Sequence, residues 1–85
     1  MEGMNFKDSS ATVSTTWAEV LPRSKNRDCV VLYNGGLNDV YFGFAEDNLI
    51  RIPAGQGITL NPAPINAIWA KTLTSTSSLV IWEAE

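Results

Sequence analysis

The chain is 85 residues long, with a net charge of −3 and no histidine. That length accommodates one domain and no second core. The acidic balance gives no electrostatic reason to bind DNA or an anionic membrane, and no apolar run approaches the roughly 20 residues of a membrane span.

Residues 1–10, MEGMNFKDSS, carry too few apolar residues to pack. They read as a flexible N-terminal arm with Met4 and Phe6 as isolated anchors, ahead of a domain covering 11–85. The segment lacks an apolar h-region, so no signal peptide is expected. ATVSTTW then alternates, with Ala11, Val13, Thr15 and Trp17 on one face, and predicts a half-buried strand. AEVL follows and stops at Pro22, and RSKNR forms a basic loop. Residues 29–45, CVVLYNGGLNDVYFGFA, read as a β-hairpin: two apolar runs joined by Asn, Gly and Asp, which tolerate positive φ. EDN is a turn, LIRI a short strand, PAGQG another turn and GITLN another strand. NPAPIN is stiffened by proline and cannot lie in a central strand. NAIWAKTL and SLVIWEAE are the last strands, linked by TSTSS. About seven short strands with turn chemistry between them, and no amphipathic helix, predict a small antiparallel β-sandwich of jelly-roll or Ig-like type.

One segment breaks the pattern that a two-layer fold implies. A strand with one buried face should alternate apolar and polar. In 29–45, Val30 and Leu32 point one way while Cys29, Val31 and Tyr33 point the other, and Val40, Phe42 and Phe44 oppose Tyr41 and Ala45. Both faces are apolar, so something must cover the second. A chain this short buries only about 60–65% of its unfolded surface, and small domains supplement that with disulfides, metals or oligomerisation. Cys29 is the sole cysteine, which excludes an internal disulfide, and one Cys without His leaves no usual zinc site. Oligomerisation, or docking on a larger partner, is the remedy left.

No residue set points to catalysis. Without histidine the commonest general base is missing. Cys29 lies in an apolar strand with nothing nearby to lower its pKa, and reads as a buried structural cysteine. Glu46-Asp47-Asn48 reads as an acidic turn without the oxygen set calcium needs. Gly55-Gln56-Gly57 leads into a β-branched strand rather than a helix, so it makes no phosphate cradle. The expectation is a non-enzyme with no cofactor and no metal. The loop from Pro22 to Arg27 gathers three of the six basic residues, and Arg23 and Arg27 read as a solvated loop or as contacts to an acidic partner. No aromatic interleaving supports nucleic acid there. Trp69 and Trp82, inside apolar strands, are expected in the core. Trp17, beside polar residues, is the exposed candidate, and Tyr33 and Tyr41 are further aromatic contact candidates.

The order of pieces Arg27-x-x-Val30-x-Leu32-x-Asn34, Val40-Tyr41-Phe42-Gly43, Gly57-Ile58-Thr59-Leu60-Asn61-Pro62, Ala67-Ile68-Trp69-Ala70 and Ser78-Leu79-Val80-Ile81-Trp82-Glu83 resembles small β-sandwich virion proteins of tailed bacteriophages, among them capsid decoration (cement) proteins. The resemblance spans roughly residues 11 to 83. It implies an antiparallel sandwich without catalytic residues and self-association as a homo-oligomer, most often a trimer. It also implies a virion structural protein on the capsid surface, made in the host bacterial cytoplasm and bound to the major capsid protein, with an arm, here residues 1–10, reaching a neighbour. Neither nucleic acid nor membrane is an expected partner. The contact residues on this reading are Met4, Phe6, Trp17, Arg23, Arg27, Tyr33 and Tyr41. The alternative is a tail, baseplate or fibre accessory that binds a host glycan through Trp17, Tyr33 or Tyr41, or binds another tail protein.

Overall fold

The computed structural model describes residues 6–84. Eight strands occur among them: β1 (Phe6–Val13), β2 (Ala18–Leu21), β3 (Cys29–Asn34), β4 (Val40–Gly43), β5 (Ile50–Ile52), β6 (Gly57–Leu60), β7 (Ile68–Lys71) and β8 (Ser77–Ala84). They form two antiparallel four-stranded sheets, A in the order β1-β8-β3-β6 and B in the order β2-β7-β4-β5. The first strand pairs with the eighth, the second with the seventh, the third with the sixth and the fourth with the fifth. That nesting is a long hairpin wound on itself, a jelly roll, which is the sandwich expected from the strand spacing.

The 29–45 segment is not a hairpin. Its two strands lie in different sheets, β3 beside β6 and β8, β4 beside β5 and β7. The Asn34–Asp39 connection is therefore a corner between layers, and Asn34 builds it. Its amide Nδ2 donates to the carbonyls of Asn38 (2.7 Å) and Ile52 (2.9 Å). Its Oδ1 accepts from the Gly36 N–H (3.1 Å) and the Ser77 hydroxyl (2.7 Å). All four hydrogen-bonding positions of a fully buried amide are filled. A two-residue hairpin turn would have needed none of this.

Strand limits also differ from expectation at the N-terminus. β1 begins at Phe6 and pairs with β8 along its whole length, so residues 6–10 belong to sheet A rather than to an arm. It stops at Val13, and residues 14–17 turn toward β2 instead of continuing the strand.

The core lies between the sheets. Val30, Leu32, Leu79 and Ile81 of sheet A meet Val40, Phe42, Ile52 and Ile68 of sheet B, all essentially inaccessible. Alternation decides which residues enter. In β8, Leu79 and Ile81 point in, so Val80 and Trp82 point out. In β7, Ile68 and Ala70 point in, so Trp69 points out. Trp69 and Trp82 are thus on the surface side of their sheets, contrary to the core position expected from their apolar neighbours. Cys29 likewise lies half-buried on the outer side of β3, rather than in the core, and is a free thiol.

Candidate interaction surface

The register of sheet A assembles an apolar field on its outer face. Asp8 of β1 stands opposite Trp82 of β8, Trp82 opposite Val31 of β3, and Val31 opposite Thr59 of β6. These four make one transverse row. The next row toward one end is Ser10, Val80, Tyr33 and Gly57, and toward the other end Ala84 stands beside Cys29. The two middle strands therefore present Cys29, Val31, Tyr33, Val80 and Trp82 outward, flanked by polar or small positions on the edge strands. Trp82 is 44% exposed and Tyr33 38% exposed, so the described residues leave both largely open on this face. This is the second apolar face that the sequence left unexplained.

Sheet B has an outer face of a different character. Trp17 stacks on Trp69 with ring centroids 6.1 Å apart and planes 18° apart. Tyr41 stands between Lys71 of β7 and Arg51 of β5. Lys71 Nζ reaches Glu46 Oε2 at 3.0 Å, and Arg51 approaches Asp39 at 3.7 Å. Aromatic surface here is largely used up by the Trp pair, and the charges neutralise one another locally. At the adjoining end, Leu37, Leu73 and Tyr41 line an open groove of about 340 Å3, with Leu37 and Leu73 well exposed.

The expected contact residues scatter across these surfaces. Tyr33 lies on the sheet A field, while Tyr41 and Trp17 lie on sheet B. Arg23 is exposed in its loop. Met4 is outside the described residues, and Phe6 opens β1 with its backbone paired to Ala84. Arg27 is not a solvated loop residue: it is only 4% exposed. Its guanidinium donates to the carbonyls of Pro64 (2.8 Å), Pro22 (2.8 Å) and Asn66, and stands 3.8 Å from Glu83. It ties the 61–67 connection to the end of β2, and it is unavailable to an acidic partner. The sequence reading placed Val31 on a second apolar face needing cover, but missed Val80 and Trp82 as surface residues. The parity of Leu79 and Ile81 against Val80 and Trp82 was the signal, but with both sets apolar it did not say which set faced in.

Among the described residues no three His, Cys, Asp or Glu side chains stand together as a metal-holding group. Among the described residues every buried side-chain nitrogen and oxygen has a hydrogen-bond partner, so none points unpaired into the interior as a ligand for something else.

No family model matches the chain, and no curated protein matches it significantly. Solved structures do share its fold. An RmlC-like cupin protein from Desulfovibrio desulfuricans is 17% identical with a TM-score of 0.69, covering 99% of this chain and 76% of that one. The Cupin_2 domain of an XRE-family transcriptional regulator from Enterobacter cloacae is 7% identical with a TM-score of 0.70, covering 94% and 81%. A de novo designed double-stranded β-helix is 16% identical with a TM-score of 0.60, covering 93% and 99%. These similarities describe the fold, and a fold shared with a designed protein carries no activity of its own.

They also correct the expected role. The chain resembles cupin-domain proteins, and nothing in those similarities supports a phage structural protein, whether capsid cement or tail accessory. The sequence pieces behind that expectation are the alternating strands and Gly/Pro turns common to jelly rolls, which include cupins as well as capsid domains.

Proposed function

We propose that this chain is a non-enzymatic binding module that works by burying the outer face of sheet A against another protein surface. The observation that carries the reading is the apolar field of half-buried Val31 and Val80 with exposed Tyr33 and Trp82. Large exposed apolar patches on small domains mark interaction sites, and aromatic residues at the centre of such a patch dominate binding energy. The non-catalytic half of the reading is supported by an interior made of apolar side chains, with no three His, Cys, Asp or Glu side chains grouped to hold a metal among the described residues.

Separating binding from folding tests the reading. Val31→Glu and Trp82→Glu act on the outer face and should leave the β-sheet circular dichroism and the melting temperature close to wild type. Native-size chromatography, of the purified chain and of extracts of cells making it, should find the wild type above its 9.3 kDa chain mass and both variants at that mass. A wild type that migrates at its own chain mass in both settings would contradict the proposal. So would variants that unfold, because the outer row would then be supporting the fold instead of a partner.

A further inference from the structure

We infer that the surface covering this face is the same face of a second copy, related by a two-fold axis running along the strands between β8 and β3. The inference rests on the binding reading above and specifies its partner.

The register supplies the complementarity. β8 and β3 are the two middle strands of sheet A, so an axis between them exchanges their places across the interface. Trp82 of each copy then lies over the partner's Val31, and Tyr33 over the partner's Val80, because each pair shares a transverse row. Cys29 lies at the margin of the contact, over the end of the partner's β8, where Ala84 is itself buried within its own subunit. Large side chains meet small ones twice over, and the Trp82–Val31 and Tyr33–Val80 rows each face their own apolar counterpart. Such a contact is isologous and closes with two copies.

Other face-to-face axes do worse. An axis across the strands, passing between the Trp82 and Tyr33 rows, would set the Cys29 row over the row containing Ser78. An axis across the strands on the Trp82 row itself would stack Trp82 on Trp82 and face Asp8 with Asp8, about 10 Å apart at normal sheet separation. With the axis along the strands, Asp8 instead lies over the partner's Thr59, since the edge strands β1 and β6 exchange places. The two Asp8 carboxylates are then about 17 Å apart, taking strand spacings of about 4.8 Å and a sheet separation of about 10 Å. That is beyond the Debye length at physiological salt.

Size agrees as well. Strands of eight, eight, six and four residues, about 4.8 Å apart and rising about 3.3 Å per residue, give a projected face of about 400 Å2. Side-chain relief raises the accessible area above the projection, so two copies together bury about 900–1,200 Å2, at the lower bound of the standard class of stable interfaces. The sequence expectation of a trimer would need this patch to be received by a different one, whereas it is complementary to itself.

Cys29 is a native reporter, as it is the only thiol and lies at the margin of the proposed contact. Sedimentation velocity across a concentration series should show a monomer passing to a dimer of twice the chain mass. Maleimide labelling of Cys29 should slow at least tenfold over the same range. Thr59→Lys places two ammonium groups over the two Asp8 carboxylates and should tighten the dimer about two- to tenfold, an effect lost at high salt or when combined with Asp8→Asn. A dimer in which Cys29 labels at the monomer rate, or in which Thr59→Lys changes nothing, would overturn the inferred arrangement. A monomer at hundreds of micromolar that binds anilinonaphthalene sulfonate, and loses that binding in Trp82→Glu, would overturn the second copy as occupant while sparing the binding reading. A monomer that binds no dye would overturn both.

Discussion

Asn34→Asp is the sharpest probe of the corner that turns this chain into a jelly roll. The substitution keeps the shape of the side chain and one acceptor oxygen. It removes both donor bonds, to Asn38 and Ile52, and points a carboxylate oxygen at two carbonyl oxygens 2.7 and 2.9 Å from the original nitrogen. Each lost bond costs about 1 kcal/mol, and leaving the charge buried without a counterion raises the total to about 3–5 kcal/mol. A chain of this length has a net stability of about 4–13 kcal/mol, so the loss is a large part of the whole. The penalty depends on pH with a definite sign. Burial without a partner raises the folded-state pKa of the introduced carboxyl above its unfolded value of about 3.9. The folded state then prefers the protonated form, which can donate one bond again. Stability relative to wild type is therefore greatest below about pH 4 and falls as pH rises toward the folded-state pKa. Urea denaturation of both proteins at pH 4 and pH 7, at one fixed protein concentration, measures this directly. A loss under about 1 kcal/mol at pH 7, or one that does not shrink toward pH 4, would refute the account of the corner.

Three further outcomes follow from the packing. Arg27→Met should cost about 3–5 kcal/mol, because three backbone carbonyls and Glu83 lose one buried cation; Arg27→Lys should recover only part of it, since an ammonium cannot span the three carbonyls as a fork does. Thermal melts compare the two. Gly36→Ala should cost about 1–3 kcal/mol, since its Cβ would lie 2.6 Å from the Ser78 backbone nitrogen and collide with the Ser77 hydroxyl; an unchanged melting temperature would show that the corner gives way easily. Lys71→Ala should cost less than about 1 kcal/mol in denaturation, because its ion pair with Glu46 is solvent-exposed.

The strands were legible as short apolar runs between turn residues. Val30–Leu32 and Ile68–Ala70 mark strands without saying which face points in, and Pro22 and the NPAPIN segment stop strands where proline must. Three features were not legible, each for a physical reason. FKDSS has no apolar alternation, and it becomes strand because β8 offers it a ladder to complete, a tertiary effect that local pattern does not encode. The segment from Cys29 to Ala45 carries the turn residues of a hairpin, yet Asn34 uses its side chain to bend the chain into the other sheet. Arg27 gives no local sign of burial, because the carbonyls that hold it come from Pro22, Pro64 and Asn66, which meet only in the folded chain. The candidate surface was half visible. The sequence showed that β3 is apolar on both sides, but not that Val80 and Trp82 of β8 extend the same field, since that depends on register.

Hydroxyl-radical footprinting at tens of micromolar protein reads the central claim most directly, because it reports which exposed apolar side chains are covered in solution. In the isolated chain Trp82 is 44% exposed, Leu37 94% and Leu73 64%. If the outer face of sheet A closes on the same face of a second copy, Trp82 and Tyr33 should oxidise as slowly as buried Phe42, while Leu37 and Leu73 oxidise at the rate their exposure sets. Dilution to nanomolar concentration should restore the reactivity of Trp82 and Tyr33. Fast oxidation of Trp82 and Tyr33 at both concentrations would contradict the account, for the apolar field of sheet A would then be left in water.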